Sequence, residues 1–93
     1  MKTIEIVGKT EDNKLIISGL FKMFDTLGTL LYIMFELCIK HDWIPSWFHF
    51  YDEAYKHGWK HTTIINRLTE GMTDVYDNDF IDVVIRKLNK TYE

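Results

Sequence analysis

Hydrophobic and polar residues alternate near the start of the chain, and this alternation predicts two β-strands. In residues 2–7 and again in residues 14–18, apolar residues stand at alternate positions, so their side chains would lie on one face of a strand. The inward-facing positions are Ile4, Ile6, Leu15 and Ile17. Residues 8–13 are rich in turn formers, so residues 1–18 are predicted to form a β-hairpin. A hairpin alone is marginal in water, and it is therefore expected to pack on helices.

From residue 20 onward, the apolar residues repeat at the spacing of α-helices. This spacing predicts helical segments at 20–41, 46–58, 62–72 and 79–90. Within residues 30–39 the apolar side chains cover almost the whole circumference, and only Glu36 interrupts the run. A helix that is apolar on all sides is expected in the centre of a domain. We therefore predict four or five short helices packed around a central buried helix.

Residues that favour helix ends lie at the predicted boundaries. Gly28 is expected to bend or end the first helical segment, and Gly58 is well placed to end the second. Ser46, which follows Pro45, is a suitable N-cap. Asn78 is placed to cap the last helix. These signals support separate short helices.

The composition is that of one folded domain. The chain has 93 residues, of which 46% are hydrophobic, so it fits a single domain over 1–93 and is not disordered. A hairpin followed by several helices predicts an α+β fold that is mostly α.

The net charge and the cysteine content limit which partners and which cellular compartment are expected. The net charge of −3 is small and is spread along the chain, which gives no broad positive surface for nucleic acid. A single cysteine, Cys38, excludes an internal disulfide and is typical of a reduced protein, so a cytoplasmic location is expected. No signal peptide and no apolar run of about 20 residues is present, so no membrane partner is expected.

No group of residues has the pattern of an active site. Ser18 and Ser46 are the only serines. Ser18 is explained as the end of a strand and Ser46 as a helix N-cap, so neither is needed as a nucleophile. Cys38 falls on the helix predicted to be buried, where a thiol is usually inert. Cys38 and His41, followed by His57 and His61, have a loosely zinc-like spacing, but a core cysteine and surface histidines explain them more simply. We expect no catalytic residues, no metal, no cofactor and no enzyme activity.

Aromatic residues are concentrated in one segment of the chain. Residues 43–59 hold half of the aromatic side chains. Core packing explains most of them, but the aromatic arc of the helix at 46–58 is wider than a small amphipathic helix needs. Tryptophan and tyrosine are enriched at binding hot spots. The predicted partner-binding residues are Trp43, Phe50, Trp59, Lys56 and Lys60.

The start of the helical region carries a family resemblance. Residues 20–28, Leu-Phe-Lys-Met-Phe-Asp-Thr-Leu-Gly, resemble the Phe-Lys-Leu-Tyr-Asp-Thr-Tyr-Gly segment of alanyl-tRNA synthetases. That segment lies in the helical tRNA-recognition region, and the resemblance extends over about residues 20–54. It implies a helical module without aminoacylation activity. Small free-standing proteins with such a fragment are typical of phages, which implies a viral, phage-type protein.

Two functions follow as hypotheses. The first is a protein-binding module, a phage-type inhibitor that blocks or redirects a host protein, because surplus aromatic residues occur without catalytic groups. The alternative is an RNA-binding module for tRNA-like ligands, because the synthetase-like segment occurs with lysines beside aromatic residues.

Overall fold

The computed structural model of the chain describes residues 4–28 and 30–92, with only the backbone of Leu27. Within these residues it contains three strands and five helices, an α+β fold that is mostly α, as predicted. The strands are β1 Glu5–Lys9, β2 Leu15–Ser18 and β3 Ile44–Pro45. The helices are α1 Leu20–Leu27, α2 Leu31–Lys40, α3 Trp47–Lys56, α4 His61–Met72 and α5 Asn78–Tyr92.

The small sheet has the order β1-β2-β3. Strands β1 and β2 pair antiparallel, which confirms the hairpin, although residues 2 and 3 of the predicted first strand lie outside the described residues. The register shifts between Ile6 and Gly8. Ile6 is 63% exposed, so the prediction that it packs inward with Ile4 is wrong. It lies opposite the buried Ile17 and therefore on the same face of the sheet, but it belongs to the edge strand β1, where the core does not cover it.

Strand β3 was not predicted and connects the sheet to the helices. It runs parallel to β2, with Ile16 opposite Ile44 and Ile17 opposite Pro45. The Ser46 backbone N–H donates to the carbonyl of Ile17 at 2.7 Å. Proline has no N–H to contribute and is tolerated at the edge of a sheet, which is where β3 lies.

The helix ends follow the capping signals with one difference. Gly28 and Gly58 adopt positive φ angles of 70° and 90° directly after α1 and α3. The hydroxyl of Ser46 accepts a hydrogen bond from the His49 backbone N–H at 3.4 Å. Asp77, rather than the predicted Asn78, caps α5, because its carboxylate accepts from the Phe80 backbone N–H at 2.8 Å.

The core draws side chains from β2 and from all five helices. Its buried hydrophobic residues are Ile17, Leu20, Phe21, Leu31, Met34, Phe35, Cys38, Phe50, Tyr51, Ala54, Ile64, Leu68, Met72, Ile81, Val84 and Leu88. Helix α2 contributes four of them, spaced as one stripe. A single stripe on each helix is the pattern of helices that surround a shared core.

Helix α2 is not buried on all sides, and that prediction is wrong. Its buried stripe consists of Leu31, Met34, Phe35 and Cys38. The remaining apolar side chains of the segment point outward and are exposed. The helix packs most closely against α4, where Gly71 lies against Leu31 and Phe35. Only one side of α2 packs against the rest of the fold, so this helix lies at the surface.

Candidate functional site

Of the predicted partner-binding residues, Phe50 is placed in the core. It is only 3% exposed, and its ring packs edge-on against Phe21 with 5.4 Å between centroids. The prediction that Phe50 lies on a binding surface is therefore wrong. Its position at the margin of the aromatic arc was misleading, because α3 turns that margin towards α1.

The two predicted tryptophans are half-buried and have different neighbours. Trp59 packs edge-on against Phe21 and Phe24, with centroid distances of 5.1 and 5.7 Å. Trp43 instead stacks on His41, with 4.6 Å between ring centroids and an interplanar angle of 20°. Trp59 and Phe50 therefore both contact the ring of Phe21, whereas Trp43 belongs to a different cluster.

The two predicted lysines are exposed. Lys56 is the last residue of α3, and Lys60 lies just before α4. Neither forms an ion pair within the part of the chain that the structure describes. Their ammonium groups are available to an anionic ligand, but they do not border a single surface with all the predicted aromatic residues.

Among the described residues, the largest group of exposed apolar side chains lies on α2 and at its N-cap, and we call it the outer face of α2. It consists of Leu30, Tyr32, Ile33, Leu37 and Ile39, which are 37 to 52% exposed. Leu30, Ile33 and Leu37 follow helical spacing and form one stripe, while Tyr32 and Ile39 form another. Glu36 and Lys40 separate the two stripes. Isolated exposed apolar residues are ordinary, but a stripe of neighbouring ones on one helix, such as Leu30, Ile33 and Leu37, indicates an interaction surface.

Three shallow depressions border the outer face of α2. One, of about 280 Å³, lies beside α1 and includes Met23 with Ile33 and Leu37. A second, of about 200 Å³, lies towards α4 and includes Tyr32 and Arg67. A third, of about 260 Å³, lies at the other end of α2 beside Val75. The face is thus ridged, and it offers recesses for the side chains of a partner.

A second candidate site is a cleft between α3 and the end of α5, which we call the tyrosine cleft. It has a volume of about 430 Å³ and is lined by Tyr51, Asp52, Tyr55, Lys56, Thr91 and Tyr92. Tyr51 stacks on Tyr92 with 3.8 Å between centroids and is also nearly parallel to Tyr55 at 6.2 Å. Both pairs have an interplanar angle of 12°. The Tyr92 hydroxyl donates to the Asp52 carboxylate at 2.9 Å.

A hydrogen-bonded chain fixes the inner side of this cleft. The Nε2 atom of His61 lies 2.9 Å from the Asn89 side-chain oxygen, which can only accept. The other ring nitrogen, Nδ1, forms a hydrogen bond of 2.6 Å with the Tyr51 hydroxyl. Three helices are tied together by these bonds. These hydrogen bonds hold the Tyr51 ring in place beneath the cleft.

The surroundings of Tyr51 and Tyr92 favour the neutral form of both phenols. Burial raises the pKa of Tyr51 above its ordinary value. Burial, together with the hydrogen bond to Asp52, raises the pKa of Tyr92 to about 12. Both phenols are thus protonated hydrogen-bond donors at neutral pH, and neither is an activated nucleophile or base.

The reactive groups do not converge. Cys38 is buried, and burial raises the pKa of its thiol to about 11, which removes the thiolate needed for nucleophilic chemistry at neutral pH. Over residues 4–28 and 30–92, no three histidine, cysteine or acidic side chains come together as a metal site. Both ring nitrogens of His61 are already hydrogen-bonded.

Sequence reasoning missed the outer face of α2, and of the tyrosine cleft it identified only Lys56. The outer face of α2 was read as buried, because a helix that is apolar all round gives no sign of which side meets solvent. The tyrosine cleft depends on contacts between α3 and α5, and Tyr92 lies 40 residues from Asp52 in the chain. Only the unusual width of the aromatic arc on α3 pointed towards it.

Comparison of the chain with protein-family models, with curated proteins and with solved structures finds no match. Among the described residues, no helix is long and apolar enough to cross a membrane. The fold and the two surfaces therefore define the class of protein, a small α+β domain with two candidate binding surfaces. The resemblance to alanyl-tRNA synthetases stays a prediction.

Proposed function

We propose that the protein is a small, non-enzymatic module that binds another protein through the outer face of α2. The observation that carries this proposal is the exposure of five large apolar side chains on one helix. Leaving such a group in water forgoes about 25 cal/mol for each Å² of apolar surface, and a bound partner would recover this free energy. The biological role that we propose for this module is that of a phage-type factor that inhibits or redirects a host protein.

The geometry favours an amphipathic helix of the partner as the bound element. Leu30, Ile33 and Leu37 repeat at the spacing with which two helices meet side by side. Glu36 and Lys40 flank this stripe, and neither forms an ion pair within the described part of the chain. A partner helix with apolar anchors and opposite charges beside them complements this surface.

A second copy of the chain is the alternative occupant of the face. A two-fold axis places the same patch of both subunits in contact. Glu36 and Lys40 would then meet the same two charges on the other copy, so only a register that pairs Glu36 with Lys40 is favourable. A different protein is free of this constraint, and we therefore favour it over a homodimer.

The test compares the wild-type protein with the double variant Ile33→Ser/Leu37→Ser in affinity capture from cells. We expect the wild type to retain a specific protein that the variant loses. The captured protein is then purified, and its affinity for both forms is measured by calorimetry. Loss of two central apolar contacts should weaken the complex about 1,000-fold, because two hot-spot contacts of about 2 kcal/mol each sum to about 4 kcal/mol.

The matched control is Ile6→Ser/Val83→Ser, which alters two exposed apolar residues on β1 and α5. This variant should bind like the wild type, and circular dichroism should show both variants folded. Equal binding by the α2 variant and the wild type would rule out the outer face of α2. A concentration-dependent dimer that the α2 variant dissociates would assign the face to a second copy and contradict the proposal.

RNA binding is the second candidate function, and the tyrosine cleft is the observation that favours it. The exposed ring of Tyr55 can stack an unpaired base, and the adjacent Lys56 can contact a phosphate. In a gel-shift experiment with tRNA, we expect a complex that weakens as salt rises from low to physiological concentration. The absence of a shift at low salt would end this candidate.

A further inference from the structure

We propose that the tyrosine cleft binds a nucleotide, with the base stacked on tyrosine and the phosphate at Lys56. The nucleotide can be free or can be an unpaired residue of a nucleic-acid strand. This inference deepens the second candidate function and does not rest on the outer face of α2. The two surfaces belong to different helices, so separate variants test them.

The orientation of the rings selects a planar ligand. Tyr51, Tyr55 and Tyr92 are nearly parallel, with angles of 12° in both adjacent pairs. A cage for an organic cation surrounds the cation with ring faces set at different angles. Parallel rings instead extend as a stack, and a flat heteroaromatic group is the ligand that continues it.

Tyr55 is the ring that is available for stacking. It is 62% exposed, whereas Tyr51 lies in the core and is covered by Tyr92. Tyr55 also contributes to the wall of the cleft. A base placed on Tyr55 would therefore lengthen the existing stack without displacing any side chain of the core.

The polar groups of the cleft match the two other parts of a nucleotide. Lys56 follows Tyr55 directly and has no ion-pair partner among residues 4–28 and 30–92, so its ammonium group is free to meet a phosphate. One oxygen of Asp52 accepts the Tyr92 hydroxyl, and the carboxylate can accept a further hydrogen bond from a ring N–H or amino group.

The volume of the cleft agrees with a ligand of this size. Small-molecule sites commonly enclose about 300–1,000 Å³, and the tyrosine cleft has about 430 Å³. It is also pre-formed, because the bonds from His61 to Tyr51 and Asn89 hold α3, α4 and α5 together beneath it. Binding therefore needs little rearrangement of the backbone.

The experiment is an NMR titration of the full chain with the four ribonucleoside monophosphates and with a short single-stranded oligonucleotide. We expect the amide signals of Tyr55, Lys56 and Thr91 to shift in a saturable manner. Nucleosides without phosphate should bind more weakly than the monophosphates. Tighter binding of the oligonucleotide identifies a strand as the ligand, and equal binding identifies the free nucleotide.

The variants separate stacking from charge. Tyr55→Ala should weaken binding about 5- to 150-fold, the range expected for the loss of one stacked base. Tyr55→Phe keeps the ring and should bind like the wild type. Lys56→Gln should weaken monophosphates while leaving nucleosides unchanged. The matched control is Tyr32→Ala, which removes another exposed tyrosine, on α2 and away from the cleft, and should leave nucleotide binding unchanged.

Three results would overturn the inference. The first is no saturable shift at the cleft with any monophosphate or oligonucleotide at millimolar concentration. The second is binding that Tyr55→Ala leaves intact. The third is tetramethylammonium binding there in preference to nucleotides. A tRNA shift that persists in Tyr55→Ala would retain RNA binding but place it elsewhere, so the two proposals fail in distinguishable ways.

Discussion

Replacing Phe21 by alanine is expected to lower the free energy of unfolding by about 3–5 kcal/mol, the range for a fully buried aromatic residue. Phe21 is 0% exposed and occupies the junction of α1 with α3. Its ring contacts Phe50 and Trp59 edge-on, at centroid distances of 5.4 and 5.1 Å. Such pairs contribute about 0.5–1.5 kcal/mol beyond the burial of their area. A cavity there therefore removes both transfer free energy and several ring contacts.

The measurement is a urea denaturation curve, followed by circular dichroism, with Phe48→Ala as the matched control. Phe48 lies on α3 but is 40% exposed, and its ring is 6.2 Å from the ring of Tyr92 between centroids. We expect the control to lose about 1 kcal/mol, because a half-exposed ring buries a fraction of its apolar area. Equal losses in both variants would show that the Phe21 cluster is not the packing centre between α1 and α3.

The same cluster explains why Trp59 is a poor test of partner binding. Its ring packs against Phe21 and Phe24, so alanine at position 59 removes part of the core as well as any surface contact. A loss of binding in that variant could arise from unfolding. Substitutions on the outer face of α2 avoid this ambiguity because the side chains replaced there are largely exposed.

The elements that the sequence predicted correctly are those with a local signal. The alternation in residues 1–18 predicted the hairpin, and the capping residues Ser46 and Gly58 predicted where α3 begins and ends. Strand β3 was missed because two residues carry no periodicity. Its identity depends on pairing with β2, and this pairing joins residues such as Ile16 and Ile44 that are far apart in the chain.

The burial of individual side chains was predicted less well, for a physical reason. Periodicity identifies a buried stripe only where polar residues mark the opposite side. In α2 almost every position is apolar, so the stripe that includes Leu31 and Phe35 cannot be distinguished from the exposed positions Ile33 and Leu37. On α3, Phe48 and Phe50 are both aromatic, and only the position of α1 decides which is buried.

The exposed apolar surface of α2 has a consequence for specificity. The chain carries Glu36 and Lys40 within this surface, so a partner must match charges as well as apolar ridges. Charged residues inside an apolar patch also oppose nonspecific association, because burying them unpaired is costly. The outer face of α2 thus combines the free energy of apolar burial with a requirement for a complementary partner.

Gly71→Ala is expected to destabilise the fold by about 1–2 kcal/mol, although alanine is the better helix former. An added Cβ would lie 2.8 Å from the Leu31 Cβ and 2.9 Å from the ring of Phe35. The Leu31 Cβ is attached directly to the backbone of α2, so relief of this contact requires α2 and α4 to move apart. Overpacking of this kind costs about 1–3 kcal/mol, and the gain in helix propensity of up to about 1 kcal/mol offsets only part of it.

The control for this prediction is Glu70→Ala, because Glu70 is the exposed neighbour of Gly71 in α4. Its unfolding free energy should remain within about 0.5 kcal/mol of the wild type, as is usual for surface positions. An unchanged or higher midpoint for Gly71→Ala would contradict close packing of α2 on α4. Because α4 supports the buried stripe of α2, the same variant should also weaken partner binding at the outer face of α2, even though residue 71 does not belong to that face.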